Sequence, residues 1–193
     1  MEKNKREEVL YTSENTEVYI TSPEYTDVIS TNLIFETTIR DAFEKEGLGH
    51  LEEDITDEIE HKKRMLEASL SEQNNIYFLI AKVDDLTIGT VSFSPCGEII
   101  KKCTENELEN FGELGSLFVL PGYQNRGIGS VLISSMMKEL HRKEIERFCL
   151  DSGYKRAQRR WLQKFGEPYM VVKNYWGEGS DHMIWLCSVS DFL

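Results

Sequence analysis

The residues best placed to do chemistry lie together at Gln124-Asn125-Arg126-Gly127-Ile128-Gly129-Ser130. This Gln-x-x-Gly-x-Gly run follows an apolar stretch, Leu117 to Leu120, and a Pro121-Gly122 stop. The apolar, partly β-branched stretch predicts a buried strand. Proline and glycine end it, because the one cannot donate to a ladder and the other turns cheaply. Beyond the loop, Val131, Leu132, Ser135, Met136 and Leu140 recur at helical spacing. The order strand, turn, loop, helix puts the two glycines at a helix start. There the backbone N–H groups lack partners and the dipole is positive. Glycines let that backbone approach a bulky anion, and Arg126 adds a positive charge beside it. The expected ligand is a phosphate or pyrophosphate.

Two familiar phosphate loops do not fit. A Walker loop needs Gly-Lys-Ser/Thr, which the chain lacks. A dinucleotide fingerprint needs a third glycine, where this chain has Leu132. The segment does resemble the acetyl-CoA-binding motif of the GNAT N-acetyltransferase superfamily, on Gln124, Gly127, Gly129 and the strand "LFVLPGYQ" before them.

That resemblance implies a fold and a set of roles. The fold is α/β (α+β): a mixed, mostly antiparallel twisted sheet of about seven strands flanked by helices. Its central strands, here Glu113–Leu120 and Ile145–Asp151, splay apart to hold the coenzyme. Carried over, the main chain of Leu117, Phe118 and Val119 binds pantetheine. The amides of Gln124, Asn125, Arg126, Gly127, Ile128, Gly129 and Ser130 bind the pyrophosphate. Acetyl-CoA is the cosubstrate and no metal is expected. Glu113 precedes Gln124 by the same interval as the catalytic glutamate of GNAT histone acetyltransferases, which makes it the candidate base. Many members carry a tyrosine in the penultimate helix that protonates the leaving thiolate. Aligning Ala157 puts Trp161 at that position and Tyr154 where an asparagine is usual, so Tyr154 is the candidate acid. A thiolate, with a free pKa near ~8.5, also leaves without help. Trp176, Glu178 and Asp181 lie in a closing hairpin loop that approaches the acceptor in this superfamily. Aromatic and acidic groups there suit a cationic amine. His182 reads as a structural histidine.

These residues must be positioned by the remaining elements. Thr16–Thr21 predicts a first strand. Ser22-Pro23-Glu24 starts a helix with Val28, Ile29, Leu33, Ile34 and Phe43 on one face, broken at Gly47 and Gly49. A second helix runs from Thr56 to about Leu70 with Ile59, Met65 and Leu66 inward. Strands follow at Ile76–Val83 and Leu86–Ser94, joined at Asp84-Asp85. The polar connection from Pro95 to Gly112 suggests a short helix near Thr104–Asn110. After the central strand and helix come a strand at Ile145–Asp151, a helix at Tyr154–Phe165, and a hairpin of Tyr169–Lys173 with Met183–Val189. Residues 1–193 read as one domain, with 1–15 as an N-terminal tail.

Composition narrows the function. The 193 residues and 40% hydrophobic content fit a globular domain. No apolar run reaches the ~20 residues of a membrane span, and the charged start is not a secretory signal, so residence in the cytoplasm is expected. The net charge of -12 opposes nucleic acid as a partner and suits a cationic one. Cys96, Cys103, Cys149 and Cys187 form no ligand pattern and are expected as free thiols. The acceptor is a small-molecule amine or a protein amine, without membrane involvement. A homodimer is open because dimers are frequent in the superfamily. A non-catalytic acyl-CoA-binding or sensing module is the alternative. A nucleotide-binding protein, in which ATP or NAD competes with CoA, is a third reading.

Overall fold

The computed structural model describes residues 8–11, 17–71 and 75–193. Its strands are β1 (Glu8–Tyr11), β2 (Glu17–Thr21), β3 (Tyr77–Val83), β4 (Leu86–Pro95), β5 (Gly112–Val119), β6 (Arg147–Ser152), β7 (Met170–Val172) and β8 (His182–Ser188). Its helices are α1 (Val28–Lys45), α2 (Glu52–Ser69), α3 (Glu98–Cys103), α4 (Ile128–Arg142) and α5 (Lys155–Phe165). This is a mixed α/β fold with a mostly antiparallel sheet and flanking helices, and all seven expected strands are present. Part of the stretch expected as a tail forms β1, paired antiparallel with β2; the rest of 1–15 lies outside the described residues.

The chain divides into two compact units, residues 1–92 with 116–139 and residues 93–115 with 140–193. Hydrogen-bonded strands run in the order β1-β2-β3-β4 in the first unit and β5-β6-β8-β7 in the second, and β4 and β5 each pass through both.

In the first unit, Phe35 of α1 is the centre of the packing. It meets Phe78 of β3 edge-on at 6.3 Å and Phe118 of β5 at 5.9 Å. Such aromatic pairs add to simple area burial. The entry to α1 is a one-turn 3-10 helix, Tyr25–Asp27. Asp27 is buried, accepts from the Glu24 N–H at 2.9 Å and receives Lys82 Nζ at 2.6 Å. A buried carboxylate survives only with such partners.

The inward face of α1 differs from the sequence expectation. Ile34, Phe35, Ile39 and Phe43 are buried, with Thr31 and Thr38. Ile29 is 85% exposed and Leu33 52%. The bulkier stripe through Phe35 and Ile39 takes the core, and threonine is tolerated there because Thr38 Oγ1 donates back to Ile34 O at 2.6 Å. Helix α2 starts earlier than expected, and Glu52, Glu53 and Asp54 in its first turn suit the dipole. Helix α3 replaces the one expected at Thr104–Asn110, which is a run of turns with Glu105 and Asn106 left-handed.

The second unit packs Phe148 of β6, Phe165 of α5 and Phe192 edge-on, at 5.0 to 6.0 Å. Cys96, Ile100, Leu108, Cys149 and Ile184 form a second cluster. Strand β6 pairs antiparallel with β8 along its whole length. Its parallel ladder to β5 comprises Gly112↔Phe148 and Glu113↔Cys149.

The two faces of α1 predict opposite outcomes. Phe35→Ala should cost about 3–5 kcal/mol, read as a lower urea midpoint. Ile29→Ser should stay within about 0.5 kcal/mol of the parent. Equal losses would mean that the helix faces the other way.

Candidate functional site

The loop at the end of β5 is built by local chemistry. Leu120 N–H donates to Ile88 O at 2.9 Å, holding the strand end on β4. Pro121 then opens a one-turn 3-10 helix through Tyr123. Gln124 Nε2 reaches back to Val119 O at 2.9 Å and ties the loop to the strand. Asn125 (φ 62°) and Gly127 (φ 84°) are left-handed, the conformation that glycine enters at least cost. Ile128 is buried and pins the start of α4. The Arg126 guanidinium lies over the Tyr123 ring at 5.6 Å.

The first bond into α4 is Val131 N–H to Gly127 O, 3.1 Å. The amides of Ile128, Gly129 and Ser130 therefore precede the helical ladder, as the first amides of any helix must. Gly129 faces Leu117 and Val119 with room for an added Cβ at 3.9 Å. The loop carries no carboxylate between Leu120 and Ser130. One expected donor is otherwise engaged: the Gln124 N–H donates to Pro121 O at 3.3 Å. The amides suited to an anion thus begin after Gln124, whose side chain braces the loop.

In β5, Leu117, Phe118 and Val119 are half-buried, and Phe118 points into the core against Phe35. Within β5 the left-handed residue is Ser116, φ 47°. A left-handed non-glycine residue costs of order 1–3 kcal/mol. Thr90 Oγ1 donates to Ser116 O at 2.7 Å and holds this bend.

The second unit gathers the other candidates. Glu113 Oε2 accepts the Gly97 N–H at 2.8 Å, at the start of α3. Beneath it lie two buried thiols, Cys96 and Cys149, with sulfurs 4.0 Å apart. Both feel the Glu113 and Asp151 charges. Burial, the larger cause, pushes both thiols up, Cys149 furthest. Burial likewise raises Cys187 to about 11. All four cysteines are free.

Tyr154 serves α5 through its main chain: its carbonyl accepts the Gln158 N–H at 2.9 Å as the helix begins. Trp161 stacks on Phe165 at 5.5 Å, a packing role. In the hairpin loop Asp181 is spent on the turn, bound by Lys173 Nζ at 2.7 Å and Asn174 N–H at 3.0 Å. Those bonds hold its carboxyl below the usual range. Glu178 is exposed. The Trp176 indole N–H donates to His182 Nδ1 at 3.1 Å, and His182 Nε2 lies 3.0 Å from Asp151 Oδ2. An indole nitrogen only donates, so Nδ1 accepts and Nε2 carries the proton toward Asp151. His182 is buried and satisfied at both nitrogens, as a structural histidine is. Sequence reading missed Asp151, which looked like the last residue of a strand; its partner is 31 positions away.

Among the described residues no group of three metal-binding side chains occurs, and no helix is long and apolar enough to cross a membrane.

A family model described as "Acetyltransferase (GNAT) family" matches residues 37–166. No curated protein matches the chain. Solved structures do. The PaiA N-acetyltransferase of Thermoplasma acidophilum, in complex with coenzyme A, is 19% identical, covers 89% of this chain and 98% of its own, and has a TM-score of 0.63. The ribosomal-protein-S18-alanine N-acetyltransferase of Escherichia coli is 14% identical over 89% and 94%, with a TM-score of 0.58. A spermidine N-acetyltransferase chimera from Vibrio cholerae and hSSAT is 11% identical over 91% and 97%, with a TM-score of 0.60. At these identities the likeness is one of fold.

Thiol burial sets the expected reactivity. At about pH 8, iodoacetamide should modify half-buried Cys103 well before Cys96, Cys149 or Cys187, as mapped by peptide mass. The folded state holds the buried thiol protons more tightly than the unfolded chain does. Unfolding therefore becomes easier as pH rises above the ordinary value of 9.0, which a series of thermal melts would show. Flat stability through that range would contradict the burial of Cys149.

Proposed function

This chain belongs to the acetyltransferase (GNAT) family, and from that membership we propose that it moves an acetyl group from acetyl-CoA to a primary amine by direct attack. The observation that carries the reading is the glycine-opened start of α4, with left-handed Asn125 and Gly127 and three amides ahead of the helical ladder. Its chemistry fits a diphosphate: oriented N–H donors, the positive end of a 15-residue helix, Arg126 nearby and no opposing carboxylate.

Bound acetyl-CoA would supply the activated acyl group. The roles of the chain's own residues follow from their positions and from the family likeness. The Ile128, Gly129 and Ser130 amides, with Asn125, Arg126 and Gly127, hold the pyrophosphate, and Gln124 holds the loop. The main chain of Leu117, Phe118 and Val119 takes pantetheine by strand-like pairing.

Glu113 accepts the proton of the attacking amine, directly or through water. The Gly97 amide donates to its Oε2. A main-chain donor orients a carboxylate without contributing a titratable group of its own. Tyr154, at the start of α5, is the candidate proton donor to the leaving thiolate, since Trp161 is committed to Phe165. The acceptor is a small-molecule or protein amine. A non-catalytic acyl-CoA-binding module of the same fold is the competing reading, and the placement of Glu113 favours the enzyme.

Calorimetry should detect CoA binding. Gly127→Ala should weaken it about tenfold, because φ 84° is strained for any side chain although the space itself is open. Glu113→Gln should leave CoA affinity intact and lower turnover by about 10²–10⁴-fold in a thiol-release assay with an amine panel. CoA binding without thiol release from any amine would favour the module.

A further inference from the structure

The carboxylate that sequence reading passed over has the most telling surroundings. Asp151 lies near the end of β6, beyond the last rung of the β5–β6 ladder. One of its oxygens, Oδ2, is held by His182 Nε2 at 3.0 Å. Among the described residues the other, Oδ1, has no partner, and the side chain is 22% exposed. Behind it His182 is 2% exposed, and its tautomer is locked by the Trp176 indole. Trp176 in turn lies against Gly153, where an added Cβ would strike the indole. Tyr175 packs edge-on against Trp176 at 4.9 Å and lies over the His182 ring at 5.2 Å. Half of Trp176 is nevertheless open to solvent, at 55%. His182, oriented by the Trp176 indole, thus holds one carboxylate oxygen in place.

Glu113 pairs across the ladder with Cys149, and Asp151 follows Cys149 by two positions on β6. Residues paired across a ladder share a face, and so do alternate residues along a strand. Glu113 and Asp151 therefore lie diagonally on one face. Their fields meet at the Cys96 and Cys149 thiols beneath.

We propose that Asp151 is the specificity-determining carboxylate of the acceptor site and takes a second ammonium group, so that the preferred acceptor is a short linear diamine. The inference rests on the acetyltransferase reading, with Glu113 at the reacting nitrogen. Asp151 Oδ1 binds the far ammonium, and the half-exposed Trp176 ring favours the same cation. His182 and Trp176 are positioning residues. His182 cannot pass a proton onward, because its other nitrogen is already accepting from an indole. Asp151 is therefore a binding anion, and the proton of the reacting amine goes to Glu113.

The test compares putrescine with n-butylamine, its single-amine counterpart, on the full chain saturated with CoA for binding and with acetyl-CoA for turnover. In the parent protein putrescine should bind more tightly and show the lower KM. Asp151→Asn, which keeps the shape and an oxygen for His182, should weaken putrescine binding and raise its KM about 10- to 100-fold. It should leave kcat, CoA affinity and the n-butylamine constants within about twofold. Trp176→Phe keeps a ring but removes the donor to His182, and should raise the putrescine KM several-fold with kcat kept. This variant decides the matter if Asp151→Asn does not fold. Equal affinity for the two amines, unchanged putrescine binding in the variant that folds, or losses shared equally between the amines would overturn the proposal. If no amine releases thiol while putrescine still binds in an Asp151-dependent way, the transferase reading fails and the cation subsite stands.

Discussion

A helix cannot bond its own first amides, and the arrangement of residues 116–139 depends on that constraint. Something must satisfy the N–H groups of Ile128, Gly129 and Ser130, because the first ladder bond arrives only at Val131. Side-chain caps are the usual answer. Here the preceding residues are Asn125, Arg126 and Gly127, with Gly127 at the first ladder acceptor, so the position itself has no side chain to offer. The loop is nevertheless held firmly by bonds that avoid those amides, from Gln124 Nε2 to Val119 O and from Leu120 N–H to Ile88 O. A loop held in this way, around amides that lie ahead of the helical ladder, suits the anion proposed above, because preorganisation reduces the ordering that binding must otherwise impose.

This part of the molecule was legible in the sequence because its signals are local. Proline, glycine and an apolar run act within a few residues of themselves, so the strand, turn and helix start were placed within a residue or two. The left-handed turn at Ser116 inside β5 has no local sequence signal, since serine is not a residue that marks such a conformation. Helix α1 was misread for a different reason. Val28, Ile29 and Leu33 make a plausible apolar stripe, yet Phe35 has two aromatic partners on β3 and β5 that no one-dimensional pattern shows. The tertiary contact decided the face, and Ile29 was left outside.

Helix α3 shows the same limit. The acidic run near Glu105 resembled a helix, but Gly97-Glu98 starts one earlier, where the Gly97 amide finds Glu113. A side chain at position 97 would collide with that carboxylate. The helix start and the candidate base are thus joined by a hydrogen bond between residues 16 apart in sequence. Asp151, His182 and Trp176 were likewise invisible as a set, since each has an unremarkable local setting.

The two carboxylates of the second unit have donors of different kinds. Glu113 receives a main-chain amide. Asp151 receives the Nε2–H of His182. The Trp176 indole N–H occupies the other ring nitrogen, and because an indole nitrogen only donates, it selects the tautomer that donates to Asp151. Trp176 thus orients a hydrogen bond that it does not itself make, and the polar atom of its side chain is spent inward although half of its surface is open.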